Sequence, residues 1–211
     1  LDRGFIFGDG VYEVIPVYDK TPFRLSGHLA RLQRSLDAIR LQNPMSDAQW
    51  RGLVADLIAR HEWADQSIYL QITRGTAPRD HRMPANVSPT VFAMASKLSR
   101  PSDAERANGV PAISLADNRW LRCNVKSTAL LGNVLLRQEA ADAGAAECVL
   151  FRDGYLTEAS ASNVFVVKNG VLLAPPADNL ILAGITYEAV LEIAREQGLP
   201  VELRRISEAE V

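Results

Sequence analysis

The chain has 211 residues, 47% hydrophobic and 23% charged, a composition of ordinary globular usage that excludes a disordered, collagen-like or disulfide-scaffold protein. Its formal net charge of -2 lacks the basic excess that a phosphate backbone demands, so no nucleic-acid partner is expected. Two cysteines in no metal-like spacing predict no zinc site and a reducing compartment, and no apolar run approaches the ~18 residues of a membrane span, so a cytoplasmic protein without a membrane partner is expected. A chain of this length forms one large domain or two lobes, burying about 70% of its unfolded surface. Phe5 to Tyr18 reads as β-rich. After the turn residues Asp19-Lys20-Thr21-Pro22, Ser26 is the expected cap of a helix with Leu29, Leu32, Leu36 and Ile39 on its apolar stripe and His28, Arg31 and Ser35 beside it. Ser46 and Gln49 form a capping box for a second helix that buries Trp50, Leu53, Val54, Leu57 and Ile58. Ile68–Thr73, Val91–Ala95 and Ala112–Leu115 read as strands, and the polar stretch Ser99 to Pro111 as a connector, which divides the chain into lobes 1–110 and 111–211.

The second lobe begins with a short run at Trp120 to Lys126, a helix from about Thr128 to Ala143 stopped by Gly144, and a strand at Glu147 to Phe151. Asp153-Gly154 and Asn169-Gly170 are hairpin turns, predicting an antiparallel meander over Cys148 to Leu173. A helix runs from near Thr186 to Gly198, and Val201 to Ile206 is the last expected strand. The chain starts at Leu1 without a methionine and ends on a second capping box, Ser207 and Glu210, so a piece of a longer chain is expected, truncated at both ends. Mixed strands and helices with tight hairpins indicate an α+β fold, not a doubly wound nucleotide fold.

Four lysines occur, and Lys126 stands apart, just before a helix and among largely apolar neighbours. Such a lysine either snorkels to solvent or is desolvated, which lowers its pKa and frees the amine for Schiff-base chemistry. Thr157 to Phe165 places Glu158 with Ser160, Ser162 and Asn163 between two strands. That is either a polar turn or the acid and hydroxyls that a pyridine-ring cofactor needs at its nitrogen. Ala183-Gly184-Ile185-Thr186 opens a helix whose first amides are an anion site or an ordinary Thr cap. Arg31 is a phosphate partner or a solvated arginine. Arg79-Asp80-His81 is a solvated basic loop or a carboxylate clamp.

Taken together these blocks resemble the fold-type IV pyridoxal-phosphate enzymes, the branched-chain and D-amino-acid aminotransferase superfamily, and among them most the bacterial D-amino-acid aminotransferases. The resemblance lies in Asp2 to Phe5, Phe7 to Val14, His28 to Leu32, Thr73 to Arg79, Arg119 to Cys123, Lys126-Ser127, Leu130 to Gly132, Thr157-Glu158, Ser162 to Phe165 and Leu182 to Thr186. It implies a two-lobed fold and pyridoxal 5′-phosphate held by Lys126 as an internal aldimine, the same lysine then shuttling the substrate proton. It further implies Glu158 at the pyridine nitrogen, Leu182 against the ring, and Ser162, Arg31, Ile185 and Thr186 as further cofactor ligands, the last three on the phosphate. Tyr12, Arg79 and His81 would trap the substrate carboxylate, the latter two reaching across a homodimer. The implied reaction is transamination between a D-alanine-like amino acid and a 2-oxo acid. The alternatives on this scaffold are a 4-amino-4-deoxychorismate lyase, an (R)-selective amine transaminase and a branched-chain aminotransferase, with a cofactor-binding relic as the non-enzymatic reading. The chain departs from the pattern at Pro16, where close relatives can carry lysine, and at Ala161, which interrupts a run of serines. A further phosphate-binding threonine is expected beyond Val211.

Overall fold

A computed structural model describes residues 1–211, which form two compact units. The first comprises Leu1–Arg100 and returns for Val125–Ala129; the second comprises Pro101–Asn124 and Leu130–Val211. The division therefore falls earlier than 110, and Lys126 belongs with the first unit rather than with the lobe that follows the connector. The reason is hydrogen bonding: Tyr12 N donates to Lys126 O (3.0 Å), Thr128 N to Gly10 O (3.0 Å), and Thr128 Oγ1 to Gly8 O (2.9 Å). Val125 is buried in the first core. No helix is long and apolar enough to cross a membrane.

In the first unit, helix α1 (Arg3–Phe7) takes the first three residues, Phe5 to Phe7, of the stretch read as β-rich. Asp2 caps it, accepting from Gly4 N at 2.8 Å, and Gly8 ends it in the left-handed region, so local cap chemistry outweighs the β-rich composition. Strand β1 (Gly10–Tyr18) pairs with the two-residue β2 (Thr21–Pro22) and antiparallel with β3 (Gln66–Thr73), which pairs with β4 (Thr90–Lys97). Pro16 is tolerated in β1 because its carbonyl faces the short β2 side, accepting from Phe23 N at 2.8 Å, so its missing N–H removes no bond to β3.

Helices α2 (Leu25–Ala38) and α3 (Asp47–Ala59) cover the inner face of this sheet. Helix α2 starts without the expected Ser26 cap: Arg24, in the left-handed region, precedes it, and the Ser26 hydroxyl accepts from Arg51 instead (2.9 Å). The Ser46/Gln49 capping box of α3 forms, and Trp50, Val54 and Ile58 recur at four-residue spacing on its buried side. Leu53 and Leu57 are only partly buried against the same core.

The second unit opens with helix α4 (Asp103–Asn108) inside the stretch read as a connector. Its Ser102/Glu105 capping box was present in the sequence. Strand β5 (Ala112–Ala116) runs parallel to β6 (Glu147–Arg152), with α5 (Leu131–Asp142) between them in the chain, and β6 turns antiparallel into β7 (Tyr155–Ala159). Strands β8 (Val166–Lys168) and β9 (Val171–Ala174) form a second hairpin. Helix α6 (Ile185–Glu196) then leads to β10 (Val201–Leu203), parallel to β9.

Both hairpin turns have positive φ at their two central residues, as Asp-Gly and Asn-Gly favour. The expected single meander over Cys148–Leu173 is nevertheless two sheets, β5-β6-β7 and β10-β9-β8. Each hairpin pairs with a parallel strand connected to it through a helix, β5 through α5 and β10 through α6, and residues 160–165 break the chain between the hairpins. Trp120–Lys126 forms neither helix nor strand, α5 starts at Leu131 because Thr128 is held by Gly8 and Gly10, and the final Ser207/Glu210 box caps a 3-10 turn, Glu208–Glu210.

Gly75 shows how tightly the loop after β3 is packed. Its φ is +92°, and an added Cβ would sit 2.0 Å from Ser88 O. Gly75→Ala should destabilise the fold by more than about 1 kcal/mol, read as a lower urea midpoint.

Candidate functional site

Lys126 lies on an extended segment laid against β1, with its backbone N donating to Ser35 Oγ on α2 (3.3 Å) and Ser127 bridging Val11. Its side chain is half-buried, and Nζ stands 4.3 Å from the centroid of the Tyr12 ring. An ammonium over an aromatic face is attracted by the ring quadrupole, so this contact holds the amine on the outer face of the sheet. Strand alternation puts Tyr12 there, because Val11 and Glu13 point inward. Tyr69 stacks on Tyr12 with centroids 5.6 Å apart, and its hydroxyl donates to Gln71 Oε1 at 2.6 Å. Tyr12 and Lys126, two of the expected site residues, are thereby brought together.

Arg31 is not solvated. Its Nε and Nη2 donate to the two oxygens of Glu13, both at 2.8 Å, and His28 Nδ1 lies 2.7 Å from Glu13 Oε2. All three side chains are buried, Glu13 completely. Burial by itself pushes the Glu13 carboxyl up, but the Arg31 and His28 hydrogen bonds and charges outweigh it and hold the group below the usual glutamate range. His28, Arg31 and Ser35, read as beside the apolar stripe of α2, are buried because each has a partner there: Glu13 for His28 and Arg31, and the Lys126 amide for Ser35.

Arg79 and His81 lie in an exposed loop and converge on one ring. The Arg79 guanidinium carbon is 5.5 Å from the Phe7 centroid, and the His81 ring is 5.4 Å from it. Arg3, buried beneath, lies 4.8 Å from the same ring and donates to Asp80 O at 2.5 Å. Asp9 holds Arg3 and Arg74 in place, each Nε at 2.8 Å, and Arg74 also donates to the Ile39 and Arg40 carbonyls at the end of α2.

In the second unit Glu158, on β7, is 6% exposed and receives three kinds of donor. Arg119 Nη1 reaches Oε1 at 2.5 Å, while Leu182 N and Asn163 Nδ2 reach Oε2 at 3.0 and 3.1 Å. Burial pushes this carboxyl above the usual range, against the pull of Arg119. Leu182 is half-buried, its amide on Glu158 and its carbonyl accepting from Asn163 Nδ2 at 2.8 Å. Gly184 precedes α6 with no side-chain cap, Ile185 is buried, and Thr186 is exposed in the first turn, so the helix begins with amides that no capping side chain occupies. Ser162 is exposed; its carbonyl accepts from Ala159 N at 2.7 Å, and its hydroxyl lies 3.5 Å from Glu147.

Residues 10–211 match the family model described as amino-transferase class IV. A D-alanine aminotransferase of Bacillus licheniformis is 42% identical over 210 residues, covering 100% of this chain and 74% of that protein. The chain belongs to the class IV aminotransferases. A fold IV transaminase from Curtobacterium pusillum superposes with a TM-score of 0.84 at 30% identity, over 99% of this aminotransferase and 74% of that chain. The branched-chain amino acid aminotransferase of Escherichia coli gives 0.88 at 28% identity, over 98% and 72%. The fold is accordingly the two-unit α+β arrangement of fold-type IV transaminases.

The residues present fit the family's pyridoxal cofactor in chemical kind. The first unit offers a half-buried amine for an aldehyde and a guanidinium aligned by Glu13. The second offers a buried carboxylate fixed by donors and a helix start without a side-chain cap. Glu13, Asn163 and Arg119 were not singled out as site residues in the sequence. The signal for Glu13 was its place two residues from Ile15 on the apolar phase of an alternating strand, where a charge needs a partner. Asn163 was visible only as a polar member of the Thr157–Phe165 segment, and Arg119 had no comparable local signal, since its bond to Glu158 spans 39 positions.

The depressed Glu13 carboxyl gives a pH prediction. Its stabilising effect is present above the unfolded pKa and lost as pH falls through the lower folded value. Glu13→Gln should cost about 3–5 kcal/mol at pH 7, by leaving Arg31 buried without its anion, and should flatten the loss of stability between pH 5 and 3 measured by denaturant titration.

Proposed function

We propose that this aminotransferase transfers the amino group of a small D-amino acid, D-alanine in kind, to a 2-oxo acid, using pyridoxal 5′-phosphate bound through Lys126. The observation that carries the chemistry is the half-buried Lys126 amine seated on Tyr12, and the choice of D-substrates leans on the 42% identity to a protein named as a D-alanine aminotransferase. When bound, the cofactor supplies an electron sink that weakens the bonds at the substrate Cα.

This chain's own residues then have three tasks. Lys126 would hold the cofactor's aldehyde through its amine and would serve as the base for the substrate Cα proton; its seat on Tyr12 restricts where Nζ travels. Glu158 would accept a hydrogen bond from the ring nitrogen, with Leu182, whose amide donates to it, beside the ring. Arg31, Ile185, Thr186 and Ser162 hold the phosphate and the rest of the cofactor by charge-assisted and backbone bonds.

Tyr12, Arg79 and His81 bind the substrate carboxylate. We place Arg79 and His81 in the pocket of a second copy, because within their own unit they close on the Phe7 ring at the end of an exposed loop. The protein in this reading is a homodimer of the cytoplasm. A planar guanidinium fork set for a compact carboxylate favours amino acids over amines lacking that group.

The purified protein, supplied with pyridoxal phosphate and pyruvate or 2-oxoglutarate, should turn over D-alanine at least 10-fold faster than L-leucine or (R)-1-phenylethylamine, on the scale of a lost carboxylate contact. It should release no pyruvate from 4-amino-4-deoxychorismate. Preference for L-leucine would make it a branched-chain enzyme, and pyruvate release a lyase.

A further inference from the structure

Arg119 is the most heavily engaged buried cation that the proposed chemistry leaves without a task. Its side chain is 5% exposed, just beyond β5. One edge of the guanidinium is locked on Asp117, with Nε to Oδ1 and Nη2 to Oδ2 both at 2.9 Å, and Nη2 also reaches Leu180 O at 3.4 Å. The other edge points Nη1 at Glu158 Oε1. Asp117 is held from behind by Thr157 Oγ1 at 2.9 Å and Arg152 Nη2 at 3.1 Å, and Arg152 Nη2 also donates to Arg119 O at 2.7 Å. The result is a buried row of alternating charge, Arg152, Asp117, Arg119, Glu158.

Such a row is poor material for stability alone, since the desolvation of buried ions offsets much of their attraction and apolar replacements often serve as well. Its geometry is directional instead. A planar fork fixed on one carboxylate presents its remaining N–H along one line, and that line ends on the acid assigned to the ring nitrogen. We propose that Arg119, aligned by Asp117, is a positioning residue that keeps Glu158 ionised and fixes the plane of its carboxylate, so that the acid accepts a hydrogen bond rather than donating one. This rests on the proposed role of Glu158.

The opposing influences on Glu158 are plain. Burial and the neighbouring Asp117 charge both favour its neutral form, while Arg119 and the Leu182 amide favour the anion. Without Arg119 a neutral acid would face the ring nitrogen, and a hydrogen-bond donor there cannot support a protonated ring. Lysine at 119 would restore a charge without the two-edged fork.

The test is a 13C NMR titration of the glutamate side-chain carboxyls in the full chain without added cofactor, the Glu158 signal assigned by its loss in Glu158→Gln. Arg119→Met should move the Glu158 midpoint up by about 1–3 pH units, and Arg119→Lys should move it up by less. A folded Arg119→Met with an unmoved midpoint overturns the proposal; if that variant does not fold, an unmoved midpoint in Arg119→Lys does so. The Glu158 assignment is checked apart from this: a Glu158→Gln protein with full turnover of D-alanine and unaltered cofactor absorbance would remove Glu158 from its role, whatever the Arg119 titration shows.

Discussion

An acid taken out of water must be surrounded by donors or give up its charge, and that constraint shapes both units of this protein. In the first, Glu13 is wholly enclosed and draws Arg31 and His28 of α2 down onto β1. In the second, Glu158 and Asp117 are enclosed and draw in Arg119, Arg152, Asn163 and the Leu182 amide. Each network costs desolvation, and each leaves a charged or polar group in one orientation. The candidate groups Arg31 and Glu158 are oriented by ionic and hydrogen-bonded neighbours.

Lys126 is placed by a different device. A short extended segment returns to the first unit and is sewn to β1 and α1 by backbone bonds and by the Thr128 hydroxyl. The lysine backbone is therefore fixed on both sides, and its Nζ lies over the Tyr12 ring. Tyr12 is in turn backed by Tyr69, whose hydroxyl is anchored on Gln71. Strand alternation connects the two themes: the inward Glu13, which aligns Arg31, directly follows the outward Tyr12, which receives Lys126.

Local signals in the sequence were reliable where the structure obeys local chemistry. The Ser46/Gln49 box, the Asp153-Gly154 and Asn169-Gly170 turns and the Trp50, Val54, Ile58 spacing all formed. They failed where a distant partner competed. Ser26 lost its capping role to Arg51, Thr128 left the start of α5 for the Gly8 and Gly10 carbonyls, and the two hairpins belong to separate sheets because each pairs with a parallel strand, a pairing that no local pattern announces. The Asp2 and Ser102 caps were readable, but composition argued against them. Among the candidate site residues, the setting of Lys126 and Glu158 drew attention but left a structural and a cofactor role equally readable, whereas the bond of Arg119 to Glu158 spans 39 positions and that of Asn163 to Leu182 spans 19.

The covalent attachment of cofactor to Lys126 is the claim on which the enzymatic reading stands, and it can be measured without any assay of turnover. The protein is incubated with pyridoxal phosphate, reduced with borohydride, digested and examined by mass spectrometry. A phosphopyridoxyl group on the peptide carrying Lys126, and on no other of the four lysines, is the predicted result. Labelling at Lys20, Lys97 or Lys168 with Lys126 unmodified would contradict it.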